Sequence, residues 1–93
     1  MASTHKHIRS GTANKRPTTA IADGQIALNT NTTSPGLYFK DSTGASIIKV
    51  GPVHVGSTAP NVTPPTGGSS GNSTGEVWLD TSLTPAGVKI WDG

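Results

Sequence analysis

Three groups of residues in this chain of 93 have types and spacing that could do chemistry. The first is His5-Lys6-His7. On an extended strand, residues i and i+2 point the same way, so His5 and His7 would present two imidazoles side by side. A threefold axis would gather six. No carboxylate or further ligand accompanies the pair, so the spacing assigns no metal. The second group is Trp78 and Trp91. Their indole faces could stack on a sugar ring or a partner chain, or be buried against another strand layer. The third is Lys6, Arg9, Lys15 and Arg16, which all precede the first acid, Asp23. Four cations without interleaved aromatics make a poor nucleic-acid footprint and a better docking segment for a protein groove.

Other signals fall away. Asn31-Thr-Thr, Asn61-Val-Thr and Asn72-Ser-Thr match the glycosylation pattern, in a chain with 14 threonines where chance matches are expected. Residues 67–75 are glycine-rich but lack the Lys-Ser/Thr ending and following helix of a phosphate loop. The five acids are scattered, and no Ser/His/Asp or Cys/His arrangement has flanking support. These residues predict binding and assembly; no enzyme and no cofactor are expected.

Composition sets the frame for those groups. Leu, Ile, Val and Phe number only 17, a level at which a self-sufficient core is doubtful. Gly, Pro, Ser, Thr and Asn number 48, more than half of the chain. A net charge of +2 is too small for a disordered polyelectrolyte. A small, turn-rich chain of this kind is expected to complete its core by oligomerising. Without cysteine it has neither disulfides nor thiolate metal sites, which suits cytosolic assembly. No apolar run approaches the roughly 20 residues of a membrane helix.

The elements that must position these residues repeat. Gly24-Gln-Ile-Ala-Leu-Asn-Thr30 returns as Gly75-Glu-Val-Trp-Leu-Asp-Thr81. The register then holds, so residues 24–42 lie over 75–93 at an offset of 51 (75 − 24). A fixed period marks a modular architecture. Residues 24–29 alternate, Ser34-Pro35-Gly36 is a turn, and Leu37 and Phe39 face one way. After Asp41-Ser-Thr-Gly44, residues 45–50 read as a third strand. The expected fold is all-β: short antiparallel hairpins and meanders repeated along the chain, with an extended N-terminal arm. Its parts are a basic anchoring arm (1–19), a β-meander (20–52), a connector and Gly/Pro/Ser/Thr-rich loop (53–74) and an incomplete hairpin (75–93). The arm is expected to order only on a partner. Ile26, Leu28, Leu37, Phe39, Ile48 and Val50 are the expected first core, and Val77, Leu79, Val88 and Ile90 the second. Trp78 and Trp91 fall on the other face; paired across the hairpin, they would set Asp80 across from Lys89. His54 should face solvent or a subunit contact. The second copy lacks a third strand. The sequence is therefore expected to be the N-terminal piece of a longer protein, or else a neighbouring subunit supplies the strand.

The ordered set of Gly24–Thr30, Tyr38-Phe-Lys-Asp-Ser-Thr-Gly44, Val53-His-Val-Gly-Ser-Thr-Ala-Pro60, Gly75–Thr81 and Lys89-Ile-Trp-Asp-Gly93 resembles modules of tail fibres and related virion proteins of tailed phages, those of marine cyanophages above all. The likeness spans residues 20–93. It implies a trimeric, β-rich virion appendage without a cofactor, assembled in the host cytoplasm. On that resemblance, Lys6, Arg9, Lys15 and Arg16 would dock on a tail adaptor or other tail protein, and distal parts would meet host-surface glycan. The His5/His7 cluster about a threefold axis would resemble iron sites of some trimeric fibres. Two other readings stay open: a small capsid or tail decoration protein, and a carbohydrate-binding module using Trp78 and Trp91. Copy number per virion separates fibre from head decoration. Loss of glycan binding in a Trp78→Ala, Trp91→Ala double variant would mark the module.

Overall fold

Each repeat begins one strand earlier than the offset of 51 marks. In the computed structural model, which describes residues 8–44 and 46–93, all regular structure is β. The first sheet is β1 (Ile8–Ser10), β2 (Ile26–Asn29), β3 (Gly36–Lys40) and β4 (Ile47–Gly51), side by side in that order. The second is β5 (His54–Gly56), β6 (Val77–Asp80) and β7 (Gly87–Ile90). Both sheets are mixed. β1 runs parallel to β2, and β5 parallel to β6; the other pairs are antiparallel.

Superposed by pairing, the repeats match residue for residue. Ile26↔Phe39 and Leu28↔Leu37 in the first hairpin become Val77↔Ile90 and Leu79↔Val88 in the second. The strands that precede them match as well, since Arg9 lies beside Leu28 and Val55 beside Leu79. The Thr30 N–H donates to Ser10 O (2.8 Å) and the Thr81 N–H to Gly56 O (3.1 Å). Each hairpin is entered through one turn design. Gln25 N–H donates to Ala22 O (3.0 Å) while its Oε1 accepts the Ala22 N–H (3.0 Å). Glu76 N–H donates to Ser73 O (3.1 Å) while its Oε2 accepts the Ser73 N–H (2.9 Å). Between them Gly24 (φ 75°) and Gly75 (φ 94°) hold the left-handed conformation that glycine adopts without steric cost. Each strand exit is an Asx turn: Asn29 Oδ1 accepts from Asn31 N–H (2.8 Å) and Asp80 Oδ1 from Ser82 N–H (2.9 Å).

Residues 8–19 therefore belong to the first repeat. The expected arm, ordered only on a partner, does not describe them: β1 lies in the sheet, and Asn29 Nδ2 anchors the following loop by donating to Thr12 O and Lys15 O (both 2.8 Å). Residues 1–7, with His5, Lys6 and His7, lie outside the described residues.

The buried face is the opposite of the one expected. Ala27 (2 % exposed) and Tyr38 (4 %) are interior, with Ile21, Asn29, Ser34 and Arg16. Ile26 and Phe39 are exposed, as is Val50 at 62 %. In the second sheet Asp80 is interior, whereas Val88 (67 %) and Ile90 (65 %) are among the most exposed side chains. Alternation correctly groups the residues that share a face, but the loops of residues 11–25 and 57–76 cover the face carrying Tyr38 and Asn29. These loops are rich in backbone polar groups, which Asn, Arg and Glu side chains can satisfy and Leu or Ile cannot. The result is elongated, 53 × 30 × 23 Å with a radius of gyration of 14.0 Å. A compact chain of this length would reach about 12 Å.

Candidate interaction surface and the polar centre behind it

The interior that positions the surface is built around an ion pair. Arg16 Nη1 faces Glu76 Oε1, both side chains nearly enclosed (5 % and 3 % exposed). Arg16 Nη2 donates to Asn72 Oδ1 (2.9 Å), and the guanidinium lies over the Tyr38 ring, 5.4 Å from its centroid. Arg16 O accepts the Ser69 N–H (3.3 Å), and Asn72 Nδ2 donates to Pro60 O (3.2 Å). One cation thus ties the first loop, the first sheet, the second loop and the start of β6. Burial raises the Tyr38 hydroxyl pKa against the opposing pull of Arg16, with Glu76 adding to the rise. Burial also lowers the Lys49 ammonium, helped by Arg16 and opposed by Glu76.

This arrangement redistributes the predicted docking cations. Arg16 points inward and is neutralised, so it offers no charge to a partner. Lys15 is half-buried, its chain packed against Gly68 (Cγ 3.3 Å from where a Cβ there would be). Arg9 is exposed and, as the neighbour of Leu28, shares the apolar face. The described cations do not form one patch.

The tryptophans are also separated from their expected pairing. The register sets Trp78 across from Lys89, two residues short of Trp91. Trp91 follows the ladder, where its N–H donates to Glu76 O (2.9 Å) and its carbonyl accepts from Gly75 N–H (2.7 Å). Lys89 Nζ instead sits 4.8 Å from the Trp78 ring centroid, a cation–π contact, and reaches diagonally to Asp80 Oδ2 (2.9 Å). Trp78 Nε1 donates to Gly56 O (2.9 Å). With its ring capped and its N–H engaged, Trp78 does not form a two-indole platform with Trp91. Asp80 accepts from the Ser82 hydroxyl (2.6 Å) and from Lys89, in that order of effect, and its pKa is held at about 2. His54 is half-buried, with Nε2 3.1 Å from Thr58 O.

What remains uncovered is apolar and occurs twice. Ile26, Leu28, Leu37, Phe39 and Ile48 share one face of the first sheet; Val55, Val77, Leu79, Val88 and Ile90 share the matching face of the second. None of the ten is buried. An open concavity of about 400 Å³ lies between β4 and residues 69–74, lined by serines, glycine and Asn72 beside the engaged Arg16. Among the described residues no group of three His, Cys, Asp or Glu could hold a metal ion, and no helix is long and apolar enough to cross a membrane. Comparison with protein-family models, curated proteins and solved structures finds no match.

The parallel strands were legible in principle. Ser10-Gly-Thr-Ala13 and Gly56-Ser-Thr-Ala59 are similar at an offset of 46 (56 − 10), and only the longer second loop hides them from the offset of 51. Arg16 carries no such signal, because its partner lies 60 residues away (76 − 16).

Proposed function

We propose that this chain is a structural protein of a phage virion, the N-terminal tail-attachment region of a tail fibre, whose copies associate as a trimer through the apolar faces of both repeats. The observation that carries the reading is the outward placement of those faces. A chain with so few large apolar residues turns most of them away from its own interior, which makes sense where neighbouring copies cover them. Repetition of the same face along an elongated body supports a shaft, in which each module contributes one layer to a shared core. The parallel strand and hairpin common to both repeats would be its unit. Attachment to a tail adaptor falls to residues 1–10, with Arg9 at the edge of the apolar face. The work done is mechanical and adhesive, with no bond made or broken.

Sedimentation equilibrium of the purified chain tests this. The expected mass is three times that of the chain. Val88→Lys with Ile90→Lys, at positions exposed in the single chain, should reduce it to one while leaving the β circular dichroism intact. A monomer at tens of micromolar for the unaltered chain would overturn the proposal.

A further inference from the structure

The loop between β5 and β6 holds a buried oxygen that nothing around it satisfies. Asn61 (φ 54°) takes the left-handed conformation, which asparagine tolerates better than most side chains. Its Nδ2 donates to Ser69 O (3.1 Å) and to Gly71 O (2.7 Å), so the amide is fixed in one orientation. Its Oδ1 is then the acceptor left over, buried and without a donor. Asn61 borders a niche of about 20 Å³ together with Tyr38 and Lys49 of the first sheet. Those two are directly opposite each other on β3 and β4, so their side chains stand together on the covered face. Among the described residues neither the Tyr38 hydroxyl nor the Lys49 ammonium has a hydrogen-bond partner. Ser34 and Arg16 also border the niche but are engaged: Ser34 Oγ accepts the Asn14 N–H (2.7 Å), and Arg16 is held by Glu76 and Asn72. Three polar groups from two repeats thus meet at one small space with their hydrogen bonding unfinished.

The walls specify what belongs there. A carbonyl oxygen on one side disfavours an anion, and an ammonium on the other disfavours a cation. A molecule that both donates and accepts suits both walls. A water needs at least about 10–15 Å³, which leaves room for one and not for a larger solute. We infer that this niche is a binding site for a single ordered water, which accepts from the Lys49 ammonium, donates to Asn61 Oδ1 and shares a hydrogen bond with the Tyr38 hydroxyl. Three partners are the usual number for a water held inside a protein. The water also returns part of the solvation that burial takes from Lys49. It joins β3 and β4 of the first repeat to the long loop of the second, a tie separate from Arg16 and Glu76. The inference rests on the unsatisfied groups of this junction and stands whether or not the virion reading does.

The test uses the full chain in water enriched in oxygen-17, whose magnetic relaxation dispersion counts the waters held longer than the protein's tumbling time. Tyr38→Phe combined with Lys49→Met keeps the ring beneath Arg16 and the aliphatic stem beside it, and removes both donors. A water left with Asn61 Oδ1 alone is not retained, so the count should fall by one per protomer with unchanged circular dichroism. Asn61 itself stays in place because its amide closes the loop. A high-resolution crystal structure of the unaltered chain provides the second measurement, and decides the matter if the double variant does not fold. It should show one oxygen about 2.7–3.2 Å from both Asn61 Oδ1 and Lys49 Nζ. An unchanged count in the folded variant would overturn the inference. So would a crystal structure in which Asn61 Oδ1 bonds directly to Lys49 or Tyr38, or in which an ion or no ordered atom occupies the niche.

Discussion

Arg16→Met should be among the most damaging single substitutions in this protein. It keeps the length of the side chain and removes the charge, leaving the Glu76 carboxylate enclosed without its counter-ion. Breaking a buried pair from one side costs about 3–5 kcal/mol. The whole stability of a 93-residue chain is on the order of 5–14 kcal/mol, so the loss is a large share of it. The melting midpoint should fall by roughly 12 °C or more. The companion change is Glu76→Gln. Gln25 already shows, at the matching position, that an amide oxygen can accept the turn N–H, so this variant removes charge and retains the turn. Alone it should be comparably damaging, because it strands the guanidinium. Together the two should cost only about 1–2 kcal/mol, from the lost Asn72 and Tyr38 contacts, a strong positive coupling in the cycle. Urea unfolding at one fixed protomer concentration measures all four proteins, since any association adds a concentration term. A cost below about 1 kcal/mol for Arg16→Met, or additive single effects, would show that water reaches the pair and that the polar centre does not hold the repeats together.

Further outcomes follow from the same geometry. Asn29→Asp replaces a donor to Thr12 O and Lys15 O with a carboxylate facing both carbonyls; a loss of about 2–4 kcal/mol and rapid tryptic cleavage after Lys15 are expected, and a trypsin-resistant variant would refute the anchoring role. Gly36→Ala would drive a methyl group into the buried Tyr38 ring, costing about 1–3 kcal/mol in urea unfolding, whereas Gly24→Ala has open space around it and suffers only from its left-handed backbone. Asp80 has a folded pKa depressed to about 2, so its contribution is complete above the ordinary carboxylate range near pH 4 and is lost as pH falls toward 2. Asp80→Asn retains the cap on Ser82 and should flatten that acid limb in a pH series of melting midpoints; an unchanged limb would exclude Asp80 as its source. Lys89→Met uncovers the Trp78 ring, and its indole emission should shift measurably, with little change in stability because the lysine is half exposed.

The parts of this fold that were readable are those governed by local chemistry. Ser34-Pro35-Gly36 and Asp41-Ser-Thr-Gly44 were evident because their residue types favour turns, and the strand faces followed from alternation. Which face is covered was not readable. The period of two says that Ile26 and Leu28 point together, but the cover over Ala27 and Tyr38 comes from loops without periodicity. β1 was missed because three residues carry no pattern, and its pairing with β2 depends on a chain excursion of 15 residues. The register of Trp78 was set too far along because an aromatic pair looked favourable, while Gly87 opposite Asp80 fixes the ladder and leaves Trp91 beyond it. For the surface, nine of the ten apolar residues were grouped in advance, with Val55 missed and Val50 included in its place; assigned to an interior, none of the nine is buried.

The difference between Gln25 and Glu76 is a matter of identity between two copies that are otherwise easy to confuse. Tandem repeats with matching hairpins are prone to trade partners while they fold, one copy's loop settling on the other's sheet. An enclosed guanidinium makes that exchange unequal. Seated against Glu76 it is neutralised; seated against Gln25 it would remain charged in a dry site. One oxygen in place of one nitrogen therefore acts as an address, directing the first loop's Arg16 to the turn of the second repeat and away from the turn of its own repeat.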